Sequence, residues 1–135
     1  MLVILSQRVD YESDYCDVLF DTYHYPSRYK SRLSVGDVFI YYQGNRYSRE
    51  QRFYFGVGTV SKIRTDSENY FAKLSNCFEF QHKVPIYLPK GGYIEQLLDD
   101  GALKDKNPPW QNSIRPLSQS SFNYILEKAG NLIRK

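Results

Sequence analysis

Histidine and cysteine are scarce in this sequence, with two residues of each among 135. His24 and His82 stand far apart, and Cys16 and Cys77 lack the close spacing of a zinc motif. A metal nuclease site needs histidines and carboxylates that converge on one ion, and the sequence offers little from which to build one. We expect no metal and no other cofactor, and we expect two reduced, buried cysteines in a cytoplasmic protein.

Motifs of catalysis are missing as well. The sequence has no glycine-rich phosphate loop, no nucleophile elbow and no paired histidine motif. Asp99 and Asp100 fit a helix end or a turn better than a metal pair. We therefore expect a protein that is not an enzyme.

Long apolar runs, internal repeats and Gly/Ser linkers are also absent. The apolar run 1–5 is too short for the core of a signal peptide or for a membrane span, and it predicts a first strand. The length falls at the commonest size for one domain. We expect residues 1–135 to form a single domain.

Aromatic residues are abundant, at 16% of the chain with 13 tyrosines. One explanation is structural, because tyrosine suits strands and packs its ring while the hydroxyl stays in water. The other explanation is binding, because flat rings can stack on a nucleobase. The net charge of +3 permits a polyanionic partner without requiring one.

The densest aromatic segments are 23–30 and 35–42. Together with Arg32 they hold five tyrosines, three cations and one histidine. Rings interleaved with cations are what a pocket for an unstacked base requires. A second group of cations consists of Arg46, Arg49 and Arg52.

Apolar periodicity predicts the secondary structure. Pro26 can start a short helix with Tyr29 and Leu33 facing inward. We predict strands at 38–42, 53–63, 70–80 and 83–88, the last at a sheet edge because of Pro85. We predict a short helix at 95–98 and a C-terminal helix, capped by Ser118 or Ser120, whose apolar stripe extends to Ile133. The sum is an α+β domain with a curved, mainly antiparallel sheet and a few helices.

The order of motifs resembles the EVE and YTH-like branch of the PUA superfamily. The motifs are the turn Tyr-His-Tyr-Pro-x-x-Tyr at 23–29, Gly36-Asp37, a strand that ends in Tyr41-Tyr42, and Phe-Gly-Val-Gly-Thr-Val at 55–60 with a trailing Asp66. The run 111–117 is similar to the closing strand of EVE domains. The resemblance spans about residues 2–126.

The resemblance implies a PUA-like barrel that flips a modified base out of duplex DNA into an aromatic pocket. Similar domains are N-terminal modules of modification-dependent restriction nucleases, with a nuclease or AAA+ segment in the same or a partner chain. By position, the implied pocket residues are Tyr23, His24, Tyr25, Tyr41, Tyr42, Gln43, Phe53 and Tyr54. The implied phosphate contacts are Arg28, Lys30 and Arg46, with Arg49 and Arg52 beside them.

Structural alternatives stand beside several of these roles. Tyr25 and Tyr29 can pin the short helix to the sheet, and His24 can be a hydrogen-bonded core histidine. Trp110, the only tryptophan, can be a hydrophobic lid or a base-stacking wall of the pocket. Arg115, in a strand-like run, fits a structural ion pair better than a ligand contact.

We expect the base to be a methylated or hydroxymethylated cytosine or a methylated adenine. Two alternatives remain for the function. One is an RNA-binding domain of the PUA or ASCH type. The other is a protein-interaction or small-molecule module in which the tyrosines are anchors.

Overall fold

The computed structural model describes residues 1–7, 18–44 and 48–135, and within them the chain is mostly strand. The strands are β1 (Leu2–Ser6), β2 (Thr22–Pro26), β3 (Val38–Gln43), β4 (Phe53–Asp66), β5 (Asn69–Pro85), β6 (Ile114–Pro116) and β7 (Leu132–Arg134). The α-helix α1 covers Gln119–Lys128, and single 3-10 turns lie at Ser27–Tyr29, Arg49–Gln51 and Ile94–Gln96.

Within the described residues the strands form one curled sheet. Its order is β2-β5-β4-β3-β1-β6, and β7 pairs with β5. β1 and β3 are parallel, whereas the other neighbours are antiparallel. Register shifts in the β3–β4 and β4–β5 pairs increase the local twist and curl the sheet into a half-barrel. The predicted curved, mainly antiparallel sheet is confirmed, and with one short α-helix among the described residues it is compatible with a small α+β barrel-like fold.

Side chains alternate between two cores on opposite faces of this sheet. The first core holds Val3, Leu5, Tyr23, Tyr25, Tyr29, Leu33, Phe39, Tyr41, Phe53, Phe55, Val60, Ala72, Leu74, Cys77 and Ile114. The second core holds Ile4, Ile40, Tyr42, Tyr54, Val57, Phe80, Val84, Ile86, Ile94, Leu117, Ile125 and Ala129, with Trp110 packed against it. Neighbouring residues such as Tyr41 and Tyr42 therefore belong to different cores.

Two predictions about the strands were wrong. The predicted turn at 23–25 is strand β2, because Tyr23 and Tyr25 point inward while their backbone pairs with β5. A separate strand at 83–88 is not formed, because β5 continues to Pro85, where it pairs with Phe53.

The C-terminal helix begins as predicted, because the Ser118 hydroxyl accepts a hydrogen bond from the Ser121 N–H at 3.0 Å. It ends at Lys128, earlier than predicted, because Gly130 adopts a left-handed φ of 72°. The apolar residues that follow form β7, which pairs with residues 78–80 of β5.

Within the described ranges, no helix has the length and apolarity to cross a membrane. Cys77 is a buried free thiol, as predicted, and burial raises its pKa. Cys16 lies outside the described residues.

We predict that Tyr25→Phe stabilises the protein. Among the described residues, the buried Tyr25 hydroxyl has no hydrogen-bond partner, and burial raises its pKa to about 12. Removing this hydroxyl should raise the free energy of unfolding by about 1 kcal/mol at pH 7, measured by urea denaturation. Tyr29→Phe is the control and should destabilise, because the Tyr29 hydroxyl accepts a hydrogen bond from the Ser113 N–H at 3.2 Å.

The same variant should alter stability at alkaline pH. Tyr25 ionises near pH 10 when unfolded and near pH 12 when folded. Ionisation in the unfolded state alone lowers the free energy of unfolding as the pH rises through this window. Tyr25→Phe should lose less stability than the wild type between these values. An unchanged slope, or a less stable variant at pH 7, would contradict this assignment.

Candidate functional site

The residues predicted to form one pocket are divided between the two cores. Tyr23, Tyr25, Tyr41 and Phe53 belong to the first core, and Tyr42, Tyr54 and Trp110 belong to or pack against the second. Gln43 is buried, and its side-chain amide donates to the Gln51 carbonyl at 3.0 Å. These side chains therefore do not all face the same core.

The tyrosine rings are also covered. Tyr41 and Tyr42 are 0% and 1% exposed, and the buried Tyr23 donates its hydroxyl to the Ser6 carbonyl at 3.1 Å. In the part of the chain that the structure describes, strand alternation turns these rings into the interior. A contact between any of them and a base stays a prediction, and it would require the ring to leave its present packing.

Three aromatic residues of the second core, Tyr42, Tyr54 and Trp110, contact a buried ion pair. Arg115 donates from Nε to Glu95 Oε1 at 2.6 Å and from Nη2 to Oε2 at 2.8 Å, and the Tyr54 hydroxyl donates to Oε2 at 2.5 Å. The Arg115 guanidinium also lies over the rings of Tyr42 and Trp110, at 4.6 and 5.1 Å. The structural role expected for Arg115 is confirmed.

Electrostatics in this group favour the charged pair and a neutral phenol. Burial and the Glu95 carboxylate raise the pKa of Tyr54 well above its usual value. Burial alone would lower the pKa of Arg115, but Glu95 outweighs it and the net pKa rises. Tyr54 and Arg115 therefore build the core and are not poised for proton transfer.

Those predicted phosphate contacts that the structure describes lie at the protein surface. Arg28 and Lys30 are exposed around the turn that follows β2. Arg49 is exposed and its guanidinium lies 3.8 Å from the centre of the Tyr87 ring, and Arg52 is partly exposed. Arg46 lies outside the described residues.

A small aromatic cavity lies beside the first core, and we call it the Phe20 cavity. Its volume is about 180 Å³. Its lining residues are Leu19, Phe20, Phe55, Glu79, Phe80 and Lys83. A planar apolar group could stack against Phe20 or Phe55, whose rings meet edge-on at 6.4 Å on the side of the first core, while the carboxylate and ammonium contact its polar edge.

A break in strand register creates this cavity. Tyr54 pairs with Val84 and Gly56 with Glu79, so only Phe55 on β4 faces the longer stretch 80–83 on β5. The extra residues of β5 do not pair with β4. Instead, the N–H groups of Gln81 and His82 donate to the backbone carbonyls of residues 131 and 129. Bulges of this kind open a sheet and re-aim its side chains.

Phe20 is held over the cavity by contacts distant in sequence. Its backbone has a left-handed φ of 65°, and its N–H donates to the Tyr41 hydroxyl at 3.1 Å. Its ring lies over Gly56, where a Cβ would come within 2.6 Å of the ring edge. Glycine at position 56 is therefore required for this approach.

Two predicted pocket residues support the cavity wall from behind. The Tyr41 ring stacks on Phe55 with centroids 5.1 Å apart and an angle of 7°. The Phe53 ring meets Phe55 edge-on at 6.1 Å. Tyr41 and Phe53 thus position the cavity wall through Phe55.

Sequence reasoning missed the lining residues themselves. Phe53 and Phe55 lie two apart on one strand, so their shared face was a signal that could have been used. Phe20 and Phe80 carry no such signal, because their place depends on the register break and on the left-handed residue.

A wider cleft of about 610 Å³ adjoins the Phe20 cavity, since both are lined by Leu19, Phe20 and Glu79. Two ion pairs lie along it, one between Lys135 Nζ and Glu79 Oε1 at 2.8 Å and the other between Lys73 and Asp21. The cavity thus opens toward a polar surface with paired charges.

The chain matches no known protein family and no curated protein in the comparisons of its sequence. Among the described residues, no cluster of three or more histidine, cysteine or acidic side chains could hold a metal ion.

We predict that Arg115→Ala destabilises the protein strongly. The substitution leaves the Glu95 carboxylate buried without its partner, which costs about 3–5 kcal/mol. Urea denaturation measures this loss, and Lys106→Ala, at an exposed position, should change stability little. Equal stability of Arg115→Ala and the wild type would contradict the structural role of the pair.

Proposed function

We propose that this chain is a non-catalytic domain that binds DNA and holds one flipped, modified base in the Phe20 cavity. The observation that carries the proposal is a cavity lined by the first-core aromatic residues Phe20 and Phe55 together with Glu79 and Lys83. Its 180 Å³ is below the roughly 300–1,000 Å³ of drug-sized ligand sites. A single planar base suits this volume better than a larger cofactor.

Methylated cytosine fits the chemistry of the lining best. The Glu79 carboxylate can accept a hydrogen bond from the exocyclic amino group of cytosine. The rings of Phe20 and Phe55 suit a methyl substituent, whereas a hydroxymethyl group would place a hydroxyl beside apolar walls at a desolvation cost. Methylated adenine has a larger ring system and fewer amino hydrogens to donate.

The sugar and phosphate of the flipped nucleotide would lie in the adjoining cleft. Extrusion of a base costs a few kcal/mol, which stacking inside the cavity and phosphate contacts outside it must offset. Lys73 and Lys135 line the cleft, and a phosphate could replace their present carboxylate partners. Arg28 and Lys30 are exposed cations available for further backbone contacts.

The curled sheet is compatible with the PUA-like barrel of EVE and YTH-like domains, which the order of motifs resembles. We extend the proposal accordingly to a targeting module of a restriction system in the cytoplasm. The nuclease or AAA+ activity would come from a separate domain or a partner chain.

The test compares binding to DNA duplexes that differ at one base: cytosine, 5-methylcytosine, 5-hydroxymethylcytosine or N6-methyladenine. Fluorescence anisotropy at a fixed, stated salt concentration gives each Kd. We predict the tightest binding to 5-methylcytosine. We also predict that Phe20→Ala removes most of this preference, because loss of one stacking ring costs about 1–3 kcal/mol.

Phe122→Ala is the matched control, because it removes a half-buried phenylalanine that packs against the second core. It should keep the preference for 5-methylcytosine. Equal affinity of the wild type for all four duplexes would overturn the proposal, as would tighter binding to a matched RNA, which would favour the RNA-binding alternative.

A further inference from the structure

The outer face of β2, β5 and β4 carries a second concentration of cations and aromatic rings. We call it the cationic face. Its side chains are Thr22, His24, Lys62, Arg64, Phe71 and Lys73. All but His24 line a groove of about 380 Å³ together with Ile63.

Strand register arranges these side chains in two rows across the three strands. His24, Phe71 and Arg64 lie opposite one another in one row. Thr22, Lys73 and Lys62 form the next row, two residues away along each strand. The rows are therefore about 7 Å apart.

The first row presents flat groups with defined contacts. The Arg64 guanidinium lies 4.1 Å from the centre of the Phe71 ring, and the centre of the His24 ring lies 5.2 Å from the same point. His24 Nε2 is 2.7 Å from Asn69 Oδ1, which fixes the imidazole. Phe71 remains half-buried although it is a large apolar side chain on the outer surface.

The charges on this face are mostly positive. Asp21 pairs with Lys73, and among the residues that the structure describes no carboxylate forms an ion pair with Lys62 or Arg64. Asp66 lies in the row beyond Arg64, where it pairs with Asn69. Lys62 and Arg64 thus add positive charge to these two rows, while Asp21 offsets the charge of Lys73.

We propose that the cationic face binds single-stranded nucleic acid. One unstacked base stacks on the Phe71 and Arg64 planes, and Lys62 and Lys73 contact the phosphates on either side. A sheet with an aromatic ring beside cations provides both components that sequence-tolerant binding of single strands needs. This site is distinct from the Phe20 cavity, and Lys73 lines both the groove and the cleft next to that cavity.

The experiment measures the affinity for fluorescent oligothymidine and oligouridine by anisotropy at two stated salt concentrations. Arg64→Ala and Phe71→Ala should each weaken binding about tenfold, and Lys62→Gln should reduce the salt dependence. Lys90→Ala, an exposed lysine in a turn away from this face, is the matched control and should bind as the wild type does. Oligouridine and oligothymidine distinguish an RNA site from a DNA site.

Because Phe71 is half-buried, its substitution can lower stability, so thermal unfolding is measured for each variant. Lys62 and Arg64 are exposed, and their variants should be as stable as the wild type. Wild-type binding that Arg64→Ala and Lys62→Gln leave unchanged would overturn the proposal, as would no binding of either oligonucleotide. A failure of the proposal that the Phe20 cavity holds a modified base can be distinguished from this result. A wild type that shows no preference for a modified base, but loses single-strand binding on Arg64→Ala, refutes only the base-reading function.

Discussion

The two-residue period of a β-strand determines where the aromatic residues of this protein lie. Tyr41 and Tyr42 are adjacent in sequence, so their rings point to opposite faces of the sheet and enter different cores. A stretch that looks like one aromatic surface in the sequence thus becomes two packed interiors. The second interior is polar at its centre, where Arg115 and Glu95 form a buried ion pair beneath aromatic rings.

The Phe20 cavity exists because the alternation is interrupted. Where β4 and β5 lose register, Phe55 stands opposite a longer stretch of β5, and the sheet opens locally. Tyr41 links this opening to the first core, because its ring stacks on Phe55 while its hydroxyl accepts the N–H of Phe20. Residues buried in the interior therefore determine the shape of the cavity without lining it.

Local pattern was enough to predict the strands near 38–42 and 53–63, the cap at Ser118 and the structural role of Arg115. Nonlocal contacts decided the rest. The motif at 23–29 predicts a turn, and only the pairing of residues 22–26 with β5 makes this segment a strand. Phe20 owes its position to Gly56 and Tyr41, which a single sequence does not place beside it. The predicted pocket residues follow from the resemblance in motif order, whereas the register break that forms the cavity depends on two strands together.

The central claim is that the base enters the Phe20 cavity, and NMR spectroscopy tests it most directly. Phenylalanine rings labelled with ¹³C would be observed with a DNA duplex that carries one 5-methylcytosine. The account predicts intermolecular nuclear Overhauser effects between the cytosine methyl group and the rings of Phe20 or Phe55. A methyl group that remains stacked in the duplex and shows no such contact, in a complex that forms, would contradict it.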